Sequence, residues 1–360
     1  MADTIRSVLA FIVVLGVLVF FHELGHYTAA RARGVVVEAF SIGFGPALIS
    51  WRAKSGTLWK ISALPLGGYV KMQGWGEEQT SDPIKPGSFA ATSLGSKALI
   101  VAAGPIANLL LAFVLFYGLF VFAGQMVVQP VLSKVIASGP AAQAGLLQGD
   151  RILAVGDQHI VDFSTLQTII VAHPNSVLDL SISRSGTTQN LQVRSGARTV
   201  DGRIIGMLGV EGDQTTLRHF NPITAIRPAG LQTWETGTAI LGGIWNLIAH
   251  HQGVRDLSGP LGIAQLSGRV AALGVVSLIS FMAMLSVNLG LVNLIPIPVL
   301  DGGHLLFYAG ELIYGKPIPR QAQEMGLRLG FALLLSLFVF TTFNDLSRLG
   351  AVTWVAHLFG

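Results

Sequence analysis

The chain has 360 residues, of which 51% are hydrophobic and only 12% are charged, and its mean hydropathy is +0.61. Soluble domains average about 25% charged residues, so the composition argues against an ordinary soluble protein. The net charge of +4 is small for this length and gives no reason to expect a nucleic-acid partner. Because the sequence contains no cysteine, disulfides, thiolate metal sites and a cysteine nucleophile are excluded.

Four apolar stretches are long enough to cross a bilayer, which takes roughly 20 residues of helix. They are residues 5–27, 98–123, 272–294 and 326–343, the last being the shortest. The first runs directly into polar residues without a small-residue cleavage site, so we do not expect a cleavable signal peptide. The sequence therefore predicts an α-helical polytopic membrane protein with four transmembrane helices.

The charges between these stretches indicate an orientation. Residues 31–97 carry eight basic and four acidic side chains, whereas residues 124–271 carry ten basic and nine acidic ones. Basic residues concentrate in short cytoplasmic loops, and long segments weigh little in this rule. We therefore expect residues 31–97 in the cytoplasm, with the N-terminus and residues 124–271 on the outer side.

The middle of the chain differs in composition from the apolar stretches. Runs such as LDLSISR and LQVRS, broken by Gly, Asn, Asp and Pro, predict half-buried strands of an inserted β-rich domain. Residues 221–250 have apolar side chains at helical spacing, but Arg227 and Glu235 interrupt them, so we expect an interfacial helix with tryptophan anchors. The predicted domains are an N-terminal membrane part (1–123), the β-rich domain (124–213), a connector (214–271) and a C-terminal membrane part (272–360).

The HELGH motif at residues 22–26 is the strongest chemical signal in the sequence. Positions i and i+4 share one face of a helix, so His22 and His26 can bind one Zn²⁺, with Glu23 beside them as a general base. The alternative is a pair of packed histidines that bind nothing. Because ionisable groups at the end of a transmembrane run are costly and functional by default, we favour the metal site.

A catalytic zinc site needs a third protein ligand, which the residues after HELGH do not supply. The best candidate is Asp301 in the segment NLIPIPVLDGGH (293–304), where two prolines and two glycines break the helix. Irregular backbone at membrane depth is tolerated only where it is buried or lines a cavity. The alternative is a simple helix end, in which Asp301 caps whatever follows.

Together these motifs resemble the site-2 protease family of intramembrane zinc metalloproteases. HELGH, the segment N-x-x-P-x-P-x-L-D-G-G and the β-rich domain between them carry the resemblance, with FSIGFGP (40–46), GGYVKM (67–72), GPIAN (104–108) and SGPLGI (258–263). Within the family, the chain resembles the bacterial RseP-type regulators of the sigma-E response, with room for one PDZ domain where others have two. The resemblance implies peptide hydrolysis in the inner membrane of a bacterium, with Zn²⁺ bound by His22, His26 and Asp301 and with Glu23 as the base.

The resemblance also implies two asparagines near the reacting peptide bond. Asn108 and Asn293 match family positions close to the site, where an amide could bind substrate and stabilise the oxyanion. Asn108 lies four residues after Gly104, so it could instead form a hydrogen bond within a packed helix pair. His304 either supports a metal ligand or merely lies in a loop, and we do not assign it a function.

A substrate helix must unwind into an extended strand before its peptide bonds can be cut. The segment 59–72 alternates, and Pro65 and Gly67-Gly68 near its bend predict a hairpin. An edge strand at Gly67, Gly68 and Tyr69 could hold the unwound segment by strand addition. Family members have a membrane-associated β-loop here; a hairpin without a special role is the alternative.

The β-rich domain resembles a PDZ domain in the run GPAAQAGLLQGDRIL (139–153), with a carboxylate-binding loop at 205–210. On the periplasmic side it would bind peptide C-termini or exclude bulky substrates. The substrates implied are single-span membrane proteins, such as trimmed anti-sigma factors, or remnant signal peptides. A non-catalytic PDZ membrane scaffold is the rival hypothesis, against which Glu23 and Asp301 argue. A transporter would show inverted internal symmetry, which the sequence lacks.

Overall fold

The computed structural model of the chain describes residues 2–75, 86–200, 203–250 and 258–348. The chain forms two compact units. We call them the helical unit (Met1–Leu119 with Pro222–Gly360) and the β-rich unit (Phe120–Asn221).

The secondary structure is as follows. Within the described ranges, the α-helices are α1 (Ala2–Ala32), α2 (Leu94–Phe122), α3 (Pro140–Gln143), α4 (Phe163–Ala172), α5 (Ile226–His250), α6 (Pro260–Ala272), α7 (Val275–Leu294), α8 (Asp301–Tyr314) and α9 (Arg320–Arg348). The β-strands are β1 (Val37–Arg52), β2 (Leu58–Met72), β3 (Gln125–Val128), β4 (Lys134–Val135), β5 (Arg151–Val155), β6 (Gln158–His159), β7 (Val177–Arg184), β8 (Thr187–Arg194), β9 (Gly196–Val200), β10 (Arg203–Met207), β11 (Val210–Glu211) and β12 (Thr215–Arg218).

Four helices in the described part of the chain are long and apolar enough to cross a membrane: α1, α2, α7 and α9. They coincide with the four predicted stretches, although α1 continues to Ala32 because the residues after the apolar run are good helix formers. The predicted start of the third stretch is wrong. Ala272 ends α6, and Gly274, with φ of +107°, separates α6 from α7.

The predicted helix over 221–250 is present as α5. Its two tryptophans, Trp234 and Trp245, expose 71% and 65% of their surface, and Ile248 exposes 67%. This row of exposed apolar side chains is the pattern expected of a helix at a membrane surface. Its location at an interface stays a prediction.

Polar contacts fix α6 to both α9 and α1. The buried carboxylate of Asp345 in α9 accepts the backbone N–H groups of Gly259 (3.1 Å) and Gly262 (2.8 Å), at the start of α6. Arg6 Nε of α1 donates to the carbonyl oxygen of Gly268 at 3.1 Å. The two bonds to Asp345 satisfy N–H groups at the start of α6 that would otherwise lack partners.

The reversal predicted near Pro65 and Gly67-Gly68 is present, because residues 58–62 and 68–72 run in opposite directions, but these two arms lie on either side of residues 37–42 and do not pair with each other. β1 and β2 also form a hairpin whose turn lies at residues 53–57, where Gly56 has φ of +86°. Glycine adopts this left-handed conformation without steric cost, which places this turn there. Pro65 and the two glycines lie inside β2.

Both strands of this hairpin also fold back on themselves. Gly43 in β1 and Gly67 in β2 have φ of +87° and +122° where the strands bend. The resulting sheet has four segments, in the order 47–52, 58–62, 37–42 and 68–72, of which the two central segments run parallel and each outer segment runs antiparallel to its neighbour. We call residues 68–72 the outer strand. It lies against α1, because a Cβ atom on Gly68 would be 2.8 Å from Val19 Cγ1 and 2.9 Å from Glu23 Cγ.

The β-rich unit is built around an antiparallel sheet of order β6-β5-β7-β8. Strands β7 and β8 lie where the alternating runs predict them. The pairs β3–β12, β4–β11 and β9–β10 complete the sheets that are described. The apolar core lies between the sheet and α4 and includes Leu132, Ile152, Leu166, Leu180, Ile182 and Val193.

One buried ion pair joins β7 to the turn before β5. Asp150 is 1% exposed, and its carboxylate accepts bonds from Arg184 Nε (2.8 Å), Arg184 Nη2 (2.7 Å) and the backbone N–H of Leu147 (2.8 Å). Burial alone would raise the pKa of Asp150, but the hydrogen bonds from Arg184 and Leu147 outweigh it and lower the pKa. The pair therefore stabilises the unit above the ordinary carboxyl pKa of 3.8, and this is lost as the pH falls through the lowered folded value.

We expect Arg184→Met to destabilise the β-rich unit, because it leaves the buried Asp150 carboxylate without its charged partner. Hydrogen exchange of the β5 and β7 amides at pH 7 should become faster by about tenfold or more. Lys134→Met is the matched control, since Lys134 forms an exposed pair with Glu211 at 3.1 Å. Equal exchange rates in the two variants would contradict the expectation.

Candidate metal centre

The two histidines of HELGH lie on one face of α1, as their i, i+4 spacing predicts. Their rings are perpendicular, with centroids 4.8 Å apart, and His22 Nε2 is 3.2 Å from His26 Nε2. His26 is 7% exposed. Both imidazoles therefore direct the same nitrogen toward one point beside α1.

Asp301, the first residue of α8, reaches the same point from the other end of the chain. Its Oδ2 atom is 3.2 Å from His22 Nε2 and 3.5 Å from His26 Nε2. Oδ2 is buried and accepts no hydrogen bond within the described residues. The alternative of a helix cap therefore does not account for this oxygen, which faces the imidazoles.

The three atoms fit the requirements of Zn²⁺. Ligands at 2.0–2.1 Å around a tetrahedral zinc ion lie about 3.3–3.4 Å from one another. The observed separations of His22 Nε2, His26 Nε2 and Asp301 Oδ2 are 3.2, 3.2 and 3.5 Å. Two imidazoles and a carboxylate are a donor set that zinc accepts, and three ligands leave a position for water. These three residues could hold a metal ion.

A tight loop between α7 and α8 positions Asp301. Cβ atoms on Gly302 and Gly303 would collide with the carbonyl oxygens of Ile295 and Ile297. Val299 has φ of +107°, a strained conformation for a β-branched residue.

The fourth apolar helix supports this loop. α9 approaches it so closely that a Cβ on Gly330 would meet the carbonyl group of Pro298. The loop is therefore held by its own glycines and by α9.

Helix α2 supports the histidines from the opposite side. A Cβ atom on Gly104 would collide with the ring of His26 and come within 2.9 Å of His22 Cε1. His26 Nδ1 is 2.9 Å from the carbonyl oxygen of Ile100, and His22 Nδ1 is 3.3 Å from Asn108 Nδ2. Residues 100, 104 and 108 follow one another at i+4 spacing, so a single face of α2 contacts both imidazoles.

Glu23 points from α1 toward the outer strand. Its side chain is buried, with 8% exposure for the residue, and its Cγ lies against Gly68. The candidate base, the candidate metal ligands and the outer strand thus lie side by side.

The remaining predicted site residues lie in different surroundings. Gly67 packs on the ring of Phe44, and Tyr69 stacks on the same ring with a centroid distance of 6.1 Å. Asn293 lies in the last turn of α7 and is partly buried. Asn108 is completely buried against His22.

Sequence reasoning missed Gly104 and left His304 without a function. Gly104 was visible only as the first residue of the GPIAN motif, four residues before Asn108. His304 lies one turn after Asp301, and its ring makes an edge contact with Trp75 at 5.6 Å. The i+3 spacing from Asp301 is the signal that places it on the same side of α8.

Comparison with protein families decides the assignment. The model of Peptidase family M50 matches residues 10–337, most of the chain. This chain belongs to peptidase family M50, the site-2 protease family. It is accordingly a protease, and zinc is its cofactor, since several relatives in the family are named zinc metalloproteases.

Family M50 relatives match over almost their full length. A protein of Agrobacterium fabrum, provisionally named a zinc metalloprotease, is 39% identical over 362 residues, covering 95% of this chain and 96% of that protein. Zinc metalloprotease RasP of Geobacillus kaustophilus is 32% identical over 425 residues (97% and 99%). Regulator of sigma-E protease RseP of Salmonella typhimurium is 30% identical over 450 residues (97% and 100%).

The alignment with RseP has 450 positions, whereas this chain has 360 residues. At least 90 positions of that alignment therefore have no counterpart in this chain. Among solved structures, the PDZ domain of an SdrC-like protein from Listeria monocytogenes is 14% identical and covers 23% of this chain and 84% of that chain. Its TM-score of 0.21 is too low to establish a fold.

We expect Gly104→Ala to weaken zinc binding by about tenfold or more, because the added methyl group displaces both imidazoles. The measurement is a chelator-competition titration of the purified full chain in detergent. Gly118→Ala in the same helix is the control, since a Cβ there meets nothing within 4 Å. Equal zinc affinity in both variants would show that α2 does not position the histidines.

Proposed function

We propose that this chain is an intramembrane protease that cuts single-span membrane proteins within or near their transmembrane segments. His22, His26 and Asp301 are the zinc ligands in this proposal, and Glu23 is the general base. The observation that carries it is the triangle of donor atoms with separations of 3.2–3.5 Å, beside a buried glutamate. The membership in family M50 supports the same chemistry.

Each residue has a defined task in peptide hydrolysis. The chemistry that Zn²⁺ supplies when bound by such ligands is polarisation of the scissile carbonyl and activation of a water molecule. Glu23 takes the proton from that water and returns it to the leaving amine. Asn293, at the end of α7, stabilises in this proposal the negative charge that develops on the carbonyl oxygen.

The outer strand offers a binding mode for the unwound substrate. One edge of residues 68–72 pairs with residues 37–42, and no strand pairs with the other edge within the described residues. A substrate segment added to that edge would form backbone hydrogen bonds next to Glu23. Gly68 supports this mode, because its missing side chain brings the strand close to the glutamate.

The membrane orientation follows from the charges of the loops. The four apolar helices and the bacterial relatives support a location in the inner membrane of a bacterium, with the basic segment 31–97 on the cytoplasmic side. The β-rich unit then faces the periplasm. The expected substrates are anti-sigma-factor-like proteins already trimmed by another protease, or remnant signal peptides.

The β-rich unit acts as a PDZ domain in this proposal. A cavity of about 340 Å³ lies between α4 and residues 205–211 and is lined by Phe163, Ile170 and Leu208. This position suits a peptide C-terminus whose carboxylate binds backbone N–H groups of residues 205–210, which the structure places in β10, β11 and the residues between them. Exclusion of substrates with a bulky outer domain is the alternative use of the same unit.

We expect Glu23→Gln to lower the rate of cleavage of a single-span reporter by about 10²- to 10⁴-fold, because the base is lost. Its zinc content should equal that of the wild type, since Glu23 is not a ligand. Glu235→Gln on α5 is the control and should cleave at the wild-type rate.

Cleavage by Glu23→Gln at the wild-type rate would refute Glu23 as the base. A wild-type chain that cleaves no single-span reporter, yet recruits proteins through its β-rich unit, would favour the non-catalytic scaffold.

Strand addition predicts which edge of the sheet touches substrate. The chain has no cysteine, so Tyr69→Cys, in the Glu23→Gln background, is the single thiol in the protein. We expect it to form a disulfide with a cysteine near the scissile bond of the reporter. Ile49→Cys on the opposite edge is the control, and it is well exposed (59%). Cross-linking at Ile49→Cys but not Tyr69→Cys would overturn the proposed binding mode.

A further inference from the structure

The side chain of Asn108 lies in an unusual environment for a residue expected to bind substrate. Asn108 is 0% exposed, and its Oδ1 atom has no hydrogen-bond partner within the described residues. Its Nδ2 atom lies 3.3 Å from Nδ1 of His22. The amide therefore contacts the imidazole nitrogen that faces away from Asp301 and His26.

The position of the proton on His22 decides which atom of the Asn108 amide can face its Nδ1 atom. A neutral imidazole has one N–H group, so a ring that binds a metal through Nε2 carries its proton on Nδ1. That nitrogen is then a donor and cannot accept a bond from the Nδ2 group of Asn108. Two donors would face each other, while the buried Oδ1 acceptor would stay unpaired.

A rotation of the Asn108 amide by about 180° resolves both conflicts, since it exchanges the two atoms. Oδ1 then accepts a hydrogen bond from His22 Nδ1–H and is no longer unpaired. We infer that Asn108 is a positioning residue for His22, accepting its Nδ1–H bond through Oδ1, and not a substrate-binding residue. The inference rests on the proposed zinc site and adds a residue to it.

The other histidine supplies an internal comparison. His26 Nδ1 lies 2.9 Å from the carbonyl oxygen of Ile100, an atom that can only accept. That bond fixes the His26 proton on Nδ1 and leaves Nε2 free for a metal. Asn108 would do for His22 what the Ile100 carbonyl does for His26, from the same face of α2.

The surroundings hold Asn108 in place for this purpose. Its backbone carbonyl accepts a hydrogen bond from Ser286 Oγ of α7 at 2.7 Å, and Ser286 is itself completely buried. Acceptors behind ligating histidines orient the ring and raise its basicity, and their loss typically lowers metal affinity 10- to 100-fold.

The test compares the zinc affinities of Asn108→Leu and Asn108→Asp, both in the Glu23→Gln background and in the full chain in detergent. Leucine has a similar shape and no acceptor, so the zinc dissociation constant should rise by about 10- to 100-fold. Aspartate keeps an acceptor, so its zinc dissociation constant should stay within about threefold of the parent. Thermal unfolding of the zinc-free variants shows whether each one folds.

Three results would overturn the inference: wild-type zinc affinity in Asn108→Leu, equal losses in both variants, or a loss in Asn108→Asp alone. Asn293→Leu is the comparison for a residue that acts on substrate, and its zinc affinity should equal that of the parent. A parent chain that binds no zinc would refute the proposed metal site itself. If the parent chain binds zinc and Asn108→Leu binds it equally tightly, only the assignment of Asn108 is refuted.

Discussion

The close approach of α1 and α2 is the contact on which the metal centre depends. A Cβ atom on Gly25 would collide with the carbonyl oxygen of Ala103, and one on Gly104 would collide with the imidazole of His26. Two glycines, one on each helix, thus allow the backbones to touch, as small residues do between membrane helices. Because α2 is this close, its Ile100 carbonyl and Asn108 amide reach the far nitrogens of both histidines.

The carboxylate of the site depends on a different kind of constraint. Asp301 follows His26 by 275 residues, and its loop includes a β-branched residue, Val299, in a left-handed conformation. Such strain costs about 1–3 kcal/mol and persists only where the surrounding structure enforces it. Here α9 meets Pro298 at Gly330, so the fourth apolar helix holds the loop in place. Strain and support together place Oδ2 within 3.5 Å of both imidazoles.

The hairpin shows where sequence patterns stop being informative. Alternation and the turn residues Pro65 and Gly67 correctly indicate extended chain that reverses between residues 62 and 68, but they predict that the two arms of the hairpin pair with each other. Instead, residues 37–42 lie between the two arms, and a further turn at Gly56 joins β1 to β2. Pairing of one segment with both ends of another is a non-local choice, and local residue preferences do not encode it.

By itself, the sequence determined the helices, the donor chemistry and the family resemblance. Apolar length predicts α1, α2, α7 and α9, and the i, i+4 spacing puts His22 and His26 on one face, because both follow from local helix geometry. Only the tertiary structure decided what surrounds those donors. It brought Asp301 to the histidines, set Gly68 against Glu23 and buried Asn108 behind His22. These contacts join residues far apart in the chain, so they depend on how closely the helices pack and not on any local pattern.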